Sequence, residues 1–203
     1  MSIFMLRSKP HNIERIDHFL TKNEVAIGWS ETGDLTGFNK EDIRNVLSDL
    51  GYQGQSLSTN LGLVNSFINE MKNGDVVLIR EKEIVHVGFI GDYKWKKEYE
   101  DKFMTHTRPV EWKVDIPFNE LSASMQSLLK NIRTICKSKE SLEESGLVQH
   151  LSKDYLEEEK VSMKLDNDEI LNEAIDVLRT LMKGSEDETI RLEATKELLR
   201  HLK

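Results

Sequence analysis

Cysteine is almost missing from this chain of 203 residues: Cys136 is the only one. That excludes an intramolecular disulfide, and one cysteine with six scattered histidines makes no zinc-ligand spacing. Cys136 itself reads as a buried helix residue in IRTIC rather than a nucleophile. Long apolar runs are lacking too. None approaches the roughly 20 residues that span a bilayer, and MSIFMLRSKPHN at the N-terminus has no signal-peptide layout. The expectation is a cytoplasmic protein with no membrane association. Catalytic signatures are also missing: there is no nucleotide-binding glycine loop, no GxSxG and no HExxH. Glu81-Lys82-Glu83 and Glu111-Trp112-Lys113 imitate a nuclease carboxylate–lysine element, but that spacing recurs in any charged chain. A protein without enzymatic activity, cofactor or metal is expected. Positive charge is short as well. The net charge of −8 argues against indiscriminate nucleic-acid binding. The deficit is uneven, with 19 Lys and Arg against 22 Asp and Glu in residues 1–150, and 9 against 14 in residues 151–203. A local basic patch in the first part is compatible with this.

What is present centres on Gly74 to Pro117. Asp75–Arg80 (DVVLIR), Ile84–Ile90 (IVHVGFI) and Val110–Ile116 (VEWKVDI) read as three strands, with antiparallel neighbours expected because the connections are short. Between the second and third, Tyr93, Trp95 and Tyr99 interleave with Lys94, Lys96, Lys97 and Lys102, ahead of His106-Thr107-Arg108. Aromatic faces stack on bases and ammonium groups meet phosphates, so the four lysines are candidate phosphate contacts. Glu98, Glu100 and Asp101 dilute the signal, and a solvated loop with internal ion pairs is the competing reading. His106, Thr107 and Arg108 either form an ordinary hydrogen-bonded loop or aim polar groups into a site, where Arg108 would grip a phosphate or stack on a base. Trp29 either caps a sheet end or forms a pocket wall with Ser30 beside it. Trp95, among lysines that must stay hydrated, reads as exposed or pocket-lining. Trp112 shares a strand face with Val110 and Val114 and reads as core.

Around this stretch the chain alternates elements. Ser2–Arg7 and Val25–Trp29 read as strands. Asn12–Leu20 reads as a helix with Asn12 as N-cap, and Lys40–Leu50 as a helix capped by Asn39. GYQGQSLSTN reads as a loop, and Asn60–Lys72 as a helix stopped by Asn73-Gly74. Pro117 starts a helix over Phe118–Lys130, and Ile132–Lys137 continues it or begins another. The class is α+β with a small curved or barrel-like sheet. Residues 138–165 read as a charged, partly helical connector. Residues 166–203 read as a helical hairpin, with helices over Asp166–Lys183 and Glu186–Leu202, the second capped by Ser185 with Glu188 at the capping-box position. Helices this short need a partner surface: the main domain, a second copy in a homodimer, or another protein.

The segments VAIGWSETGDL (25–35), FINEMKNGDVVLIRE (67–81), IVHVGFIGDYKW (84–95) and HTRPVEWKVDIPFNEL (106–121) together resemble the EVE-type domains of the PUA-like superfamily. These are relatives of the YTH readers and of the N-terminal modules of McrB-type restriction systems. The resemblance covers residues 1–137 and implies a PUA-like mixed sheet or barrel with flanking helices. It also implies a reader that flips a modified base into an aromatic cage, in phage defence or restriction, with DNA preferred over RNA. Trp29 and Trp95 would be the cage walls, Ser30 and Tyr93 would sit beside them, and His106, Thr107 and Arg108 would line the rim or contact the backbone. An acidic chain departs from what a lone duplex-DNA reader requires. The alternative that stays open is a module binding a small, nucleotide-like ligand or a protein, acting as a subunit of a larger complex.

Overall fold

Seven strands form one mixed sheet in the order β2-β6-β4-β3-β1-β7, with β5 pairing on β6. In this computed structural model, which describes residues 1–151, 175–185 and 187–201, the strands are β1 (Ile3–Leu6), β2 (Glu24–Ile27), β3 (Val76–Glu81), β4 (Ile84–Ile90), β5 (Lys94–Trp95), β6 (His106–Pro117) and β7 (Ile135–Lys137). The helices of the same unit are α1 (Ile16–Lys22), α2 (Lys40–Asp49), α3 (Gly54–Asn65) and α4 (Ala123–Leu129). β1 and β3 run parallel, and every other pair is antiparallel. The class is therefore α+β, with a curled half-barrel sheet flanked by helices.

The curl follows from covering both sheet faces. Period-two alternation sends Phe4 and Leu6, with Val77 and Ile79, to one face, and Ile3 and Met5, with Val76 and Leu78, to the other. The first face packs on α1, α2 and the π-turn that follows α3 through Phe19, Leu47 and Phe67, all fully buried. Each such side chain contributes about 1.5–3 kcal/mol by leaving water. The second face packs on α4 and on Leu147 and Leu151. The compact unit holding both cores runs Met1–Ser152.

β6 crosses from one core to the other by a bulge. Val87 pairs with Val114, but Gly88 pairs with Trp112, so Lys113 is the extra residue. The parity of the strand flips there. Val110 and Trp112 face the first core, whereas Val114 and Ile116 face the second. The expected common face for Val110, Trp112 and Val114 is thereby corrected, although Trp112 does pack on a core and donates its indole N–H to the Phe19 carbonyl at 3.3 Å.

Other elements differ from the sequence reading for local reasons. His11 and Asn12 both take positive φ, 52° and 62°, so Asn12 caps nothing and α1 starts at Ile16. α3 begins at Gly54, inside the expected loop. Leu57, Leu61 and Val64 supply a helical stripe that its polar neighbours disguise. It runs on as a single π-turn, Ser66–Glu70. Asn39 does cap α2, in a reciprocal capping box with Asp42. Pro117 ends β6 and starts only a short 3₁₀ turn, Phe118–Glu120, and the α-helix follows after a break, α4 capped by Ser122. Ile135–Lys137 is an edge strand on β1, which places Cys136, half-buried, in a strand and not a helix.

The second unit, Lys153–Lys203, is described only in part. Residues 175–184 are helical (α5), and α6 spans Glu188–His201. The Ser185 hydroxyl accepts from the Asp187 N–H at 3.2 Å. The expectations for residues 153–174 lie outside the described residues. Among the described residues no helix is long and apolar enough to cross a membrane.

The bulge makes Gly88 irreplaceable. A Cβ there would lie 2.5 Å from Val110 Cγ1 and 2.7 Å from the Glu111 carbonyl oxygen. Gly88→Ala is expected to cost about 2–3 kcal/mol in urea unfolding. An unchanged unfolding midpoint would contradict the bulge geometry.

Candidate functional site

Trp29 leaves the sheet just past β2 in a left-handed conformation, φ 65° and ψ 35°. A bulky side chain rarely accepts this, and the cost is about 1–2 kcal/mol. Its carbonyl explains how the cost is met. That oxygen accepts from the Thr32 N–H at 3.0 Å, the Thr32 hydroxyl at 2.8 Å and His106 Nε2 at 3.1 Å. At the other end, the indole N–H donates to Asn60 Oδ1 at 3.1 Å, fixing the ring against α3.

His106 is fully buried at the start of β6, and its protonation follows from its neighbours. Nε2 lies 3.1 Å from the Trp29 carbonyl and 2.9 Å from the Thr32 hydroxyl; the carbonyl can only accept, and the hydroxyl gives its own proton to that carbonyl, so Nε2 carries the proton. Nδ1 then accepts from the Tyr93 hydroxyl at 2.8 Å, whose oxygen accepts in turn from the Leu35 N–H at 3.4 Å. The chain runs one way, from Leu35 to the Trp29 carbonyl. Burial holds the His106 pKa below its ordinary value and pushes the Tyr93 phenol up, so both stay neutral.

These contacts correct the expected rim. His106 and Thr107 face inward: the Thr107 hydroxyl donates to the Lys94 carbonyl at 3.0 Å. Arg108 is buried, with its guanidinium turned to backbone carbonyls and not to the surface. It donates to the carbonyls of Phe67 (2.8 Å), Ile68 and Met71 (both 3.0 Å) at the end of the α3 extension, and of Gly91 (2.7 Å). Burial lowers its pKa, while Asp92, Asp75 and Tyr93 act in the opposite direction. The fork supplies the capping donors that the helix end needs. Pro109 disguised this segment as a loop, yet His106–Pro109 is strand, paired to β2 through Ile27 to Glu24.

The expected lysine cluster is also reassigned in part. Lys96 is ion-paired with Glu24, a carboxylate only 4% exposed, which also bonds His18 Nε2 at 3.0 Å. Burial raises the Glu24 pKa, but the hydrogen bonds from Lys96, Tyr99 and His18 outweigh it and hold the group below its usual range. Lys96 and Lys102 each lie 4.9 Å from the Tyr99 ring centre. Lys94 and Lys97 remain exposed.

A cavity of about 470 Å³ opens beside Trp29, with Tyr52, His11, Asn12, Asn60 and Lys9 among its walls. Its volume and mixed lining suit a small planar ligand. His11 is held by stacking on Phe103, centroids 4.4 Å apart. Trp95, the expected second wall, is not among the residues lining it. Trp95 instead pairs with His106 across β5 and β6, and its buried indole N–H has no partner among the described residues. The same holds for the hydroxyls of Ser30 and Thr105, which adjoin Trp29 and His106 in the chain. Sequence reasoning missed Tyr52, His11 and Asn12. The signal available was the Pro10-His11-Asn12 turn, since asparagine and histidine tolerate positive φ. Among the described residues no group of three or more His, Cys, Asp or Glu is placed to hold a metal ion.

The sequence profile of one family matches residues 5–137, from within β1 to the last residue of β7. The chain belongs to the DUF8426 family, described as a domain of unknown function. The match takes in Trp29, Tyr52, Trp95, His106 and Arg108, so the DUF8426 region contains the whole arrangement. No curated protein and no solved structure matches the chain.

Two outcomes test this geometry of the DUF8426 domain. Arg108→Lys leaves buried carbonyls without donors and is expected to cost about 3 kcal/mol in urea unfolding; wild-type stability would contradict the capping role. The depressed pKa of His106 gives stability that is present above its ordinary pKa, near 6.5, and is lost as pH falls. Acidification from neutral pH should therefore destabilise the wild type more than His106→Gln. Equal pH slopes would contradict a neutral, buried imidazole.

Proposed function

We propose that this chain is a non-enzymatic nucleic-acid-binding protein that reads a modified base, flipped from its strand into the cavity beside Trp29. The observation that carries the reading is Trp29 itself. Its strained backbone is strapped by three donors on one carbonyl, and its indole is fixed by Asn60 at the wall of an open cavity. Strain held in this way is typical of positions where a side chain must be aimed. The curled mixed sheet with flanking helices is compatible with a PUA-like, EVE-type domain, which the motif order resembles.

In this reading Trp29 and Tyr52 supply the aromatic faces. Stacking is worth about 1–3 kcal/mol per base and tolerates any base. Discrimination then falls to the polar lining, where Asn12 and Asn60 offer amide donors and acceptors of the kind that read base edges. The cage of the sequence reading is thereby modified: Trp29 keeps its role, Tyr52 replaces Trp95 as the second wall, and Trp95 braces His106.

The test is fluorescence anisotropy with oligonucleotides carrying methylated or hydroxymethylated cytosine, alongside the free nucleosides. Trp29→Ala is expected to weaken oligonucleotide binding about 10–100-fold, with the circular dichroism spectrum and melting cooperativity retained. Tyr52→Ala, which leaves the strained backbone untouched, should do the same. Wild-type affinity in both variants would overturn the base pocket. Tight binding of a free nucleoside with no affinity for any oligonucleotide would favour the small-ligand reading instead.

A further inference from the structure

A second cavity, of about 650 Å³, lies next to the first, and Lys9 lines both. The two also share chain segments. The strand-to-turn stretch that puts Arg7, Ser8 and Lys9 in the second cavity continues through His11 and Asn12 in the first. The segment before β7 gives Asn131 and Ile132 to the second and Thr134 to the first. Two chain segments thus supply walls to both cavities, and with Lys9 common to the two linings the pair reads as one groove.

The second half of the groove is electropositive on an otherwise acidic chain. Arg7, Lys9, Arg80, Lys82 and Lys130 line it, against only two carboxylates, Glu14 and Glu81. Both carboxylates are already engaged. Glu14 pairs with Lys9 at 3.5 Å and accepts from the N–H groups of Arg15 and Ile16. Glu81 lies 3.4 Å from His86 Nε2. The Arg80 guanidinium carbon lies 3.5 Å from the Phe118 ring centre, and the group also bonds Glu83. Among the described residues no carboxylate pairs with Arg7, Lys82 or Lys130. Lys82 and Lys130 are both exposed.

We infer that the second cavity binds the phosphodiester backbone of the same strand whose base enters the Trp29 cavity, with Lys9 at the junction. This rests on the base-pocket reading above and adds the path of the strand. It also accounts for an acidic protein that holds a polyanion: the net charge of −8 is that of the whole chain, whereas this cavity is lined by five cations and two carboxylates. Its position differs from the Lys94–Lys102 loop that the sequence singles out, where Lys96 is consumed by Glu24.

The experiment measures the salt dependence of binding for a labelled single-stranded DNA of about 12 nucleotides carrying one methylated cytosine, a length within the reach of such grooves. Three proteins are compared: wild type, Lys82→Gln/Lys130→Gln and Trp29→Ala. Loss of two phosphate contacts should reduce the slope of log affinity against log salt by about 1.4 and weaken binding about 10-fold or more at low salt. Trp29→Ala should weaken binding and keep the slope. If the double variant keeps both affinity and slope while Trp29→Ala weakens binding, the groove is overturned and the base pocket stands. If only the double variant weakens binding, the base pocket fails and the shared strand path with it. A mononucleotide that binds as tightly as the DNA, with the same loss in the double variant, would also overturn the strand path, because one phosphate would then suffice. No DNA binding by the wild type overturns both.

Discussion

One buried imidazole organises the end of the sheet where the cavity opens. His106 receives a hydrogen bond from Tyr93 and gives one to the Trp29 carbonyl, and this single direction of donation ties two loops to β6, the β2–α2 connection at both Trp29 and Leu35 and the β4–β5 connection at Tyr93. The Leu35 end fixes the loop before α2. The Tyr93 ring packs at 22° to His106, and the Trp29 end locks a conformation that a tryptophan would otherwise abandon. The arrangement works only with a neutral ring. A second proton on Nδ1 would meet the Tyr93 hydroxyl donor to donor, on an imidazole that is fully buried. Burial, which depresses the imidazole pKa, therefore preserves the Tyr93–His106 hydrogen bond and with it the continuity of the chain from Leu35 to Trp29.

The same economy governs the rest of the polar cluster. Thr107, Arg108, Glu24 and Lys96 are all chemistry-bearing residues, and each is spent on holding elements together. Arg108 finishes a helix end that contains a π-turn, where the carbonyls of Phe67, Ile68 and Met71 would otherwise be buried without donors. Glu24 and Lys96 join β2 to the β5 segment, and His18 brings α1 to the same carboxylate. A rigid frame of this kind is what allows a wall residue such as Trp29 to hold its position when the cavity is empty or filled.

Much of the fold was legible from the sequence because it depends on local pattern. β4 follows from seven residues of β-branched and apolar character, and α2 from Asn39 with Asp42 three residues on. What was not legible depends on pairing between distant residues. Nothing in VEWKVDI announces that Lys113 is a bulge, because the bulge exists only against Gly88, and so the change of face between Trp112 and Val114 could not be read. β7 is three residues long and becomes a strand only because β1 offers an edge. The site shows the same division. Trp29 stood out by its place between a strand and a glycine-containing loop. Tyr52 did not, since only the packing of α2 and α3 brings it to the cavity. The HTR segment was recognisable as special, but its polar side chains point inward because strands flank both sides of it.

The central claim is that the indole of Trp29 is the surface on which a base stacks. The chain has three tryptophans, so proton–nitrogen NMR gives three indole N–H signals, each assignable by substitution. Titration with an oligonucleotide carrying a methylated cytosine should move the Trp29 signal most and leave that of Trp112, bonded to Phe19 in the core, in place. Saturated binding with the Trp29 signal unmoved would contradict the account.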